Sequence, residues 1–270
     1  MERLSISQLS TIKWWLEEDA IRYSSQGFKS IAVWREKLTD DSVDFVTSLF
    51  ADLGLKVSSL QWAGGFTGSD GRSHVDAIED AIDAIRQAAR IRSPRLLIHS
   101  GARALHTISH CTRLFRTALN ELVPVAQDFG VQLVIVPMAA DTGKDFTFVK
   151  TFESALQFCN RFQKKDVALG LNLFHFPAEF GILNQAEIME RLALVQISDR
   201  SSTESGPQRV LPGTGTTDLV RWIRELNHAG YKGIFEAEFF SPNLESIAYS
   251  SRLSNIRDFW RSMIESRAIA

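Results

Sequence analysis

Several things are scarce in this 270-residue sequence, and each shortage excludes a class of protein. Cysteine occurs twice, at Cys111 and Cys159, with no C-x-x-C spacing. That excludes a disulfide framework and a cysteine-rich zinc module, and fits a reducing compartment. Net charge is small, 30 basic against 32 acidic residues for a formal −2, so nothing marks the chain for nucleic acid or an anionic membrane. No apolar run approaches the roughly 20 residues of a membrane span. The N-terminus, Met1-Glu2-Arg3-Leu4-Ser5, lacks the basic patch and apolar run of a signal peptide. The expected location is therefore cytoplasmic. There is no G-x-G-x-x-G after the first strand, no P-loop, no G-x-S-x-G and no H-E-x-x-H, so no nucleotide cofactor is expected and hydrolase and zincin readings have no support.

What is present is an alternation. Short runs rich in Val, Ile, Leu and Phe predict strands at Leu4–Leu9, Phe28–Trp34, Leu55–Trp62, Arg95–His99, Val131–Pro137, Val167–Phe174, Leu192–Ser198 and Gly233–Phe239. Helical periodicity predicts helices at Ile12–Ser25, Asp41–Leu53, Ser73–Arg92, Leu105–Phe129, Phe146–Phe162, Thr216–His228 and Asn243–Ile264, with a short piece near Asn184–Arg191. Gly27, Gly54, Gly130 and Gly230 fall between a helix and the next strand, where a left-handed C-cap suits glycine. Asp41 and Asp218 sit in early helical turns, where a carboxylate favours the dipole. Strands such as Leu133-Val134-Ile135-Val136 are apolar on consecutive positions, as in sheets covered on both faces. About eight β/α units over ~250 residues is the arithmetic of a (β/α)8 TIM barrel. No linker divides the chain, so residues 1–270 are expected to form a single domain.

In such a barrel the chemistry lies where strands end and βα loops begin. The polar residues at those ends are Arg35 and Glu36, Gln61 and Trp62, His99 and Ser100, Asn172 and His175, Gln196 and Asp199, and Glu236 with Glu238. The segment Gln208-Arg209-Val210-Leu211-Pro212-Gly213-Thr214-Gly215 reads as a glycine- and proline-marked loop. By strand alternation Glu236 shares the facing of Glu238. Asp199 reads as an N-cap or loop brace, and His106 and His110 as surface residues of a helix. The acidic stretch Asp76, Glu79, Asp80, Asp83 reads as a solvated helix face.

Across most of its length the chain resembles the xylose-isomerase-like TIM barrels: sugar and sugar-phosphate isomerases, epimerases, and inosose and dehydroshikimate dehydratase relatives. The resemblance is carried by Gly27-Phe28-Lys29-Ser30-Ile31 leading to Trp34, by Leu97-Ile98-His99-Ser100-Gly101, and by Gly130-Val131-Gln132-Leu133 leading to Pro137. It continues through Gly170-Leu171-Asn172-Leu173-Phe174-His175, Val195-Gln196-Ile197-Ser198-Asp199, Arg209 with Leu211-Pro212-Gly213-Thr214-Gly215, and Gly230-Tyr231-Lys232-Gly233 leading to Glu238.

The resemblance implies a divalent metal (Mn²⁺, Mg²⁺ or Co²⁺) held by a Glu, an Asp, a His or Gln, and a Glu on the fifth to eighth strands. At those positions this chain has Val136, Asn172, Gln196 and Glu238. Valine cannot bind a metal, and an amide has replaced the Asp. The set has lost about two negative charges, and hard-cation affinity depends on ligand charge. Metal on Glu238, Gln196 and Asn172 is thus a doubtful expectation, with recruitment of His175, His99 or Asp199 the alternative. Thr214 stands where the family carries a further Glu.

The resemblance further implies catalytic roles for Glu238 and His175. Substrate contacts are expected from Arg209, Asn172, Gln196, His99, Trp34 and Trp62, the tryptophans stacking on a sugar face. The implied activity is isomerisation or epimerisation of a sugar, keto-polyol or cyclitol-type substrate by proton transfer next to a carbonyl. A lyase or dehydratase reaction and a metal-free, non-catalytic sugar-binding or partner subunit are the alternatives. The expected partner is a small sugar-like molecule, and a homo-oligomer is compatible with the sequence.

Overall fold

The structure, a computed structural model, describes residues 2–39, 43–204 and 206–265. Ten strands are seen among them: β1 Leu4–Ser7, β2 Ser30–Trp34, β3 Lys56–Gly64, β4 Arg95–His99, β5 Gln132–Ile135, β6 Val167–Asn172, β7 Leu192–Ile197, β8 Asp199–Thr203, β9 Gly206–Val210 and β10 Ile234–Ala237. Eight of them close a parallel barrel in the order β1-β10-β7-β6-β5-β4-β3-β2, which is the (β/α)8 architecture expected from the sequence. The helices are α1 Leu16–Ser25, α2 Val43–Asp52, α3 His74–Arg90, α4 Ile108–Phe129, α5 Phe152–Cys159, α6 Ala186–Arg191, α7 Leu219–His228 and α8 Tyr249–Glu265. No helix among the described residues is long and apolar enough to cross a membrane. Asp41, expected to open α2, lies outside the described residues.

Alternation along each strand divides the core in two. Outward-facing residues such as Ile98, Leu133, Ile135, Leu169, Val195 and Phe235 pack with the helices in one large cluster. Inward-facing Leu97, Val134, Val136, Ala168 and Leu194 form a separate small cluster inside the barrel, with Trp62 against it. Gly130 ends α4 in the left-handed region at φ 66°, accepting the role expected of it.

Inside the β1–β3 side the packing is polar. Glu236, fully buried, accepts from Ser58 Oγ and Ser59 Oγ, each at 2.6 Å, and from Gln61 Nε2 at 3.2 Å. Ser58 spends its proton on Glu236, so Ser5 donates to Ser58 at 2.8 Å. Burial raises the Glu236 pKa above the ordinary carboxylate range, the serine bonds opposing it.

Three regions depart from the sequence expectation. Strand β1 ends at Ser7, because Ser7 accepts the Leu9 amide and starts a 3-10 turn, Gln8–Thr11; α1 begins only at Leu16. The fifth helix starts at Phe152, not Phe146, because the capping box of Thr151 and Ser154 fixes its first turn there. The segment before it is a loop of successive turns, with the Thr142 and Gly143 amides on the Ala139 carbonyl and the Phe146 amide on that of Gly143. Gln208–Val210, expected in a loop, instead forms half of the antiparallel hairpin β8–β9, with Arg200 paired to Arg209.

Candidate active site

The C-terminal ends of the barrel strands open into a cavity of about 500 Å³. Each residue named for catalysis or substrate contact lines it: Trp34 from β2, Trp62 from β3, His99 from β4, Asn172 from β6, His175 just beyond, Gln196 from β7, Arg209 from the hairpin and Glu238 after β10. Glu236 does not line it. That carboxylate lies one inward position lower and holds the Gln61 amide, whose Oε1 accepts from Ser7 at 2.6 Å. Val136 does not line it either. It packs in the apolar cluster, so close to Gly170 that a Cβ there would sit 2.9 Å from a Val136 methyl carbon.

Four side chains form one hydrogen-bonded chain across the floor. Asn172 Nδ2 donates to Gln196 Oε1 at 2.9 Å, and Gln196 Nε2 donates to Glu238 Oε2 at 3.0 Å. Glu238 Oε1 pairs with the Arg209 guanidinium at 2.9 Å. Register explains the first contact, since Asn172 lies directly opposite Gln196 in the β6–β7 ladder. The ends of the chain fix both amide orientations. Glu238 can only accept, so Gln196 turns its NH₂ toward it. At the other end the Phe174 amide donates to Asn172 Oδ1 at 3.0 Å, so the Asn172 NH₂ faces Gln196.

This arrangement decides how the residues meet a divalent metal. The Asn172 and Gln196 oxygens are engaged by protein donors, and the one carboxylate is engaged by a guanidinium. Unit charges about 4 Å apart near a protein surface interact by about 4 kcal/mol, and a dication beside Arg209 would be repelled by about twice that. No group of three or more His, Cys, Asp or Glu suited to a metal occurs among the described residues. A donor set of one carboxylate already ion-paired with a guanidinium and two neutral amides carries too little free negative charge to fit a divalent ion.

Arg209 is held on three sides. Its guanidinium carbon lies 4.2 Å from the Phe174 ring centroid, in cation–π contact. Its backbone carbonyl accepts from Asn243 Nδ2 at 3.1 Å. The hairpin that carries it is anchored by Asp199, whose Oδ1 accepts from the Arg200 and Thr217 amides at 2.8 and 2.9 Å. Asp199 Oδ2 accepts from the Gly213 and Gly215 amides at 3.0 and 2.9 Å. Gly215 admits no side chain, since a Cβ would come within 2.3 Å of Asp199 Oδ1. Thr214 bonds back to the Leu211 carbonyl at 2.8 Å and stays exposed.

The two histidines are neutral by burial. Desolvation, followed by the positive charge of Arg209, pushes His175 down to about 2, and its Nδ1 lies 2.6 Å from the Thr142 hydroxyl. Desolvation lowers His99 to about 4, opposed by a hydrogen bond with the Val136 backbone. His99 meets Trp62 edge-on at 5.5 Å. Arg209 Nε and His99 Nδ1 are both buried without a protein hydrogen-bond partner.

Thr142, Met138 and Phe146 also line the cavity, from the loop between β5 and α5, together with Phe240 beyond β10. The sequence does not signal them, because that loop has no periodicity and the stretch from Phe146 onward carries a helical pattern. Phe146 and Phe240 are about half exposed, giving the cavity an aromatic rim.

A family model described as xylose isomerase-like TIM barrel matches residues 22–260. Among curated proteins, an inosose isomerase of Bacillus subtilis (strain 168) is 29% identical over 131 residues, 46% of this chain and 45% of the relative. An inosose isomerase of Bacillus velezensis is 24% identical over 153 residues, 54% of this chain and 53% of the relative. The matches thus span about half the length of these curated relatives. Among solved structures, a protein from Sinorhizobium meliloti 1021 shares the fold at TM-score 0.86 and 22% identity, covering 97% of this chain and 98% of that one. The IOLI protein, whose structure holds a zinc atom, does so at TM-score 0.83 and 19% identity, covering 98% of each chain. An L-ribulose 3-epimerase follows at TM-score 0.79 and 18% identity, covering 98% and 95%. With a closed parallel barrel and a family match over most of its length, this chain belongs to the xylose isomerase-like TIM barrel family.

Proposed function

We propose that the chain is an enzyme of the isomerase/epimerase type, acting on a keto-sugar, keto-polyol or cyclitol by moving a proton next to a carbonyl. The observation that carries this reading is the Glu238–Arg209 pair at 2.9 Å on the floor of the strand-end cavity. Proton transfer at an α-carbon needs a base, and a positive group where oxygen gains charge. Glu238 is the base and later the acid: each oxygen has a second lone pair beyond the bonds it makes to Gln196 and Arg209. Arg209 faces the carbonyl oxygen, and its unpartnered Nε–H is a further donor. Neutral His175 and His99 orient hydroxyls, Asn172 and Gln196 hold Glu238 in place, and Trp34 and Trp62 cover the ring's apolar face.

A cytoplasmic location is part of the same proposal. So is the assignment of residues 1–270 to one domain. A second reading, a sugar-binding protein without catalysis, is favoured by the apolar packing of Val136. Elimination from the same carbanion gives the lyase variant.

Deuterium exchange separates these readings. A panel of ketoses and an inosose is incubated with the protein in D₂O and followed by proton NMR. The enzyme readings expect loss of an α-C–H signal in wild type, reduced by roughly 10²-fold or more in Glu238→Gln. Elimination adds a product lacking water. Binding that shifts the melting temperature with no exchange on any compound would favour the non-catalytic reading.

A further inference from the structure

We infer that Arg209 has taken over the role of the divalent ion, so that the proton transfer proposed above, on which this inference rests, uses a built-in cation and no metal. Three independent features of the floor point to it. The hydrogen-bonded chain from the Phe174 amide through Asn172 and Gln196 to Glu238 has each acceptor oxygen engaged and each amide turned one way. Position 136, from which a carboxylate is missing, is filled by a buried valine that packs against Gly170 within the apolar cluster that also holds Leu97. A permanent positive charge already rests on the remaining carboxylate, partly buried at the cavity edge and stacked on Phe174.

A guanidinium in this place has different consequences from an ion. It is charged at any working pH, cannot be removed by a chelator, and offers forked N–H donors to two neighbouring oxygens. In the step it supports, Glu238 takes the proton from the carbon next to the carbonyl. The C–H electron pair becomes the new C=C π bond, and the carbonyl π pair moves onto oxygen, where Arg209 stabilises the enediolate. Returning the proton from Glu238 to the neighbouring carbon, with the hydroxyl proton moving to the first oxygen, gives an isomer; protonation of the first carbon from the opposite face, by an acid other than Glu238, gives an epimer. No oxidant or other co-reactant is needed.

The decisive experiment measures metal and chemistry separately on the full chain. Elemental analysis after dialysis against Mn²⁺, Zn²⁺ or Co²⁺, and thermal melts with and without EDTA, should show far less than one ion per chain and no chelator-dependent shift. One tightly held ion per chain, with a melting temperature that falls on chelation, overturns the inference whatever the substrate. For the chemistry, Arg209→Ala should lose roughly 10²-fold in α-proton exchange, recovered in part by methylguanidinium and not by Mn²⁺. Arg209→Lys, which keeps the charge and serves if the alanine variant folds poorly, should retain part of the rate. Restoration of Arg209→Ala by Mn²⁺ would overturn the inference. If wild type exchanges no proton on any compound, the proposed activity falls, while the metal measurements still judge the cation replacement.

Discussion

Asp199→Asn is the perturbation whose size follows most directly from the structure. Both carboxylate oxygens accept two backbone N–H groups: Arg200 and Thr217 on Oδ1, Gly213 and Gly215 on Oδ2. An asparagine supplies one oxygen and one NH₂. Whichever way it turns, two backbone donors face another donor, and the two bonds that survive lose their charge assistance. Hydrogen bonds to a charged group contribute about 1.5–3 kcal/mol each, so losing two costs about 3–6 kcal/mol. Asp199 is almost fully buried, so water does not replace the missing acceptor. Urea unfolding of the two proteins at pH 7 gives the difference, and amide hydrogen exchange should rise selectively at 200, 213, 215 and 217. Because this carboxylate anchors the hairpin bearing Arg209, catalytic exchange should fall with the stability. A loss below about 0.5 kcal/mol, the level of an ordinary surface change, would refute the bracing role.

Other outcomes follow from the same geometry. Arg209→Met leaves Glu238 charged and largely buried without its partner, and breaking such a pair costs about 3–5 kcal/mol when it is fully buried, less here because both side chains keep some exposure; a urea-measured double-mutant cycle with Glu238→Gln should return a coupling above about 1 kcal/mol. His175 is held near 2 in the folded chain, whereas the unfolded chain protonates near the ordinary histidine value of about 6.5. Its contribution to stability is therefore full above that value and is lost as pH falls, by about 1.4 kcal/mol per pH unit between pH 6 and 4. Asp19, raised by burial to about 6, titrates in the opposite sense in that window, so the test is the difference between wild type and His175→Gln, whose unfolding profile should lose that much acid sensitivity. Gly215→Ala must displace Asp199 Oδ1 and the Arg200 carbonyl, 2.3 and 2.5 Å from the added carbon, and should cost about 1–3 kcal/mol as overpacking does, read by thermal melts.

The barrel was legible because its strands are covered on both faces, so β4 to β7 read as near-continuous apolar runs. The glycines at helix ends were legible because a left-handed turn tolerates little else, and all four have positive φ. The hairpin of β8 and β9 was not, because it lies above the barrel with partly exposed residues and shows no apolar run of a core strand on either side of its turn. The side chains that line the cavity were legible from their places at strand ends together with the family resemblance, and Trp34, Trp62, His99, Asn172, Gln196 and Glu238 meet there. Their bonding did not. That Asn172 donates to Gln196, and Gln196 to Glu238, depends on the register between β6, β7 and β10, which no local pattern encodes. Glu236 shows the converse: alternation gave it the facing of Glu238, yet one layer of depth makes it the acceptor for Ser58, Ser59 and Gln61.

The most direct test of a proton-transfer site that runs on a guanidinium is α-proton exchange by wild-type protein before and after exhaustive chelation. The account predicts the same rate of deuterium uptake in both samples and no gain when Mn²⁺, Zn²⁺ or Co²⁺ is returned. A rate that collapses with the chelator and recovers with the metal would contradict it.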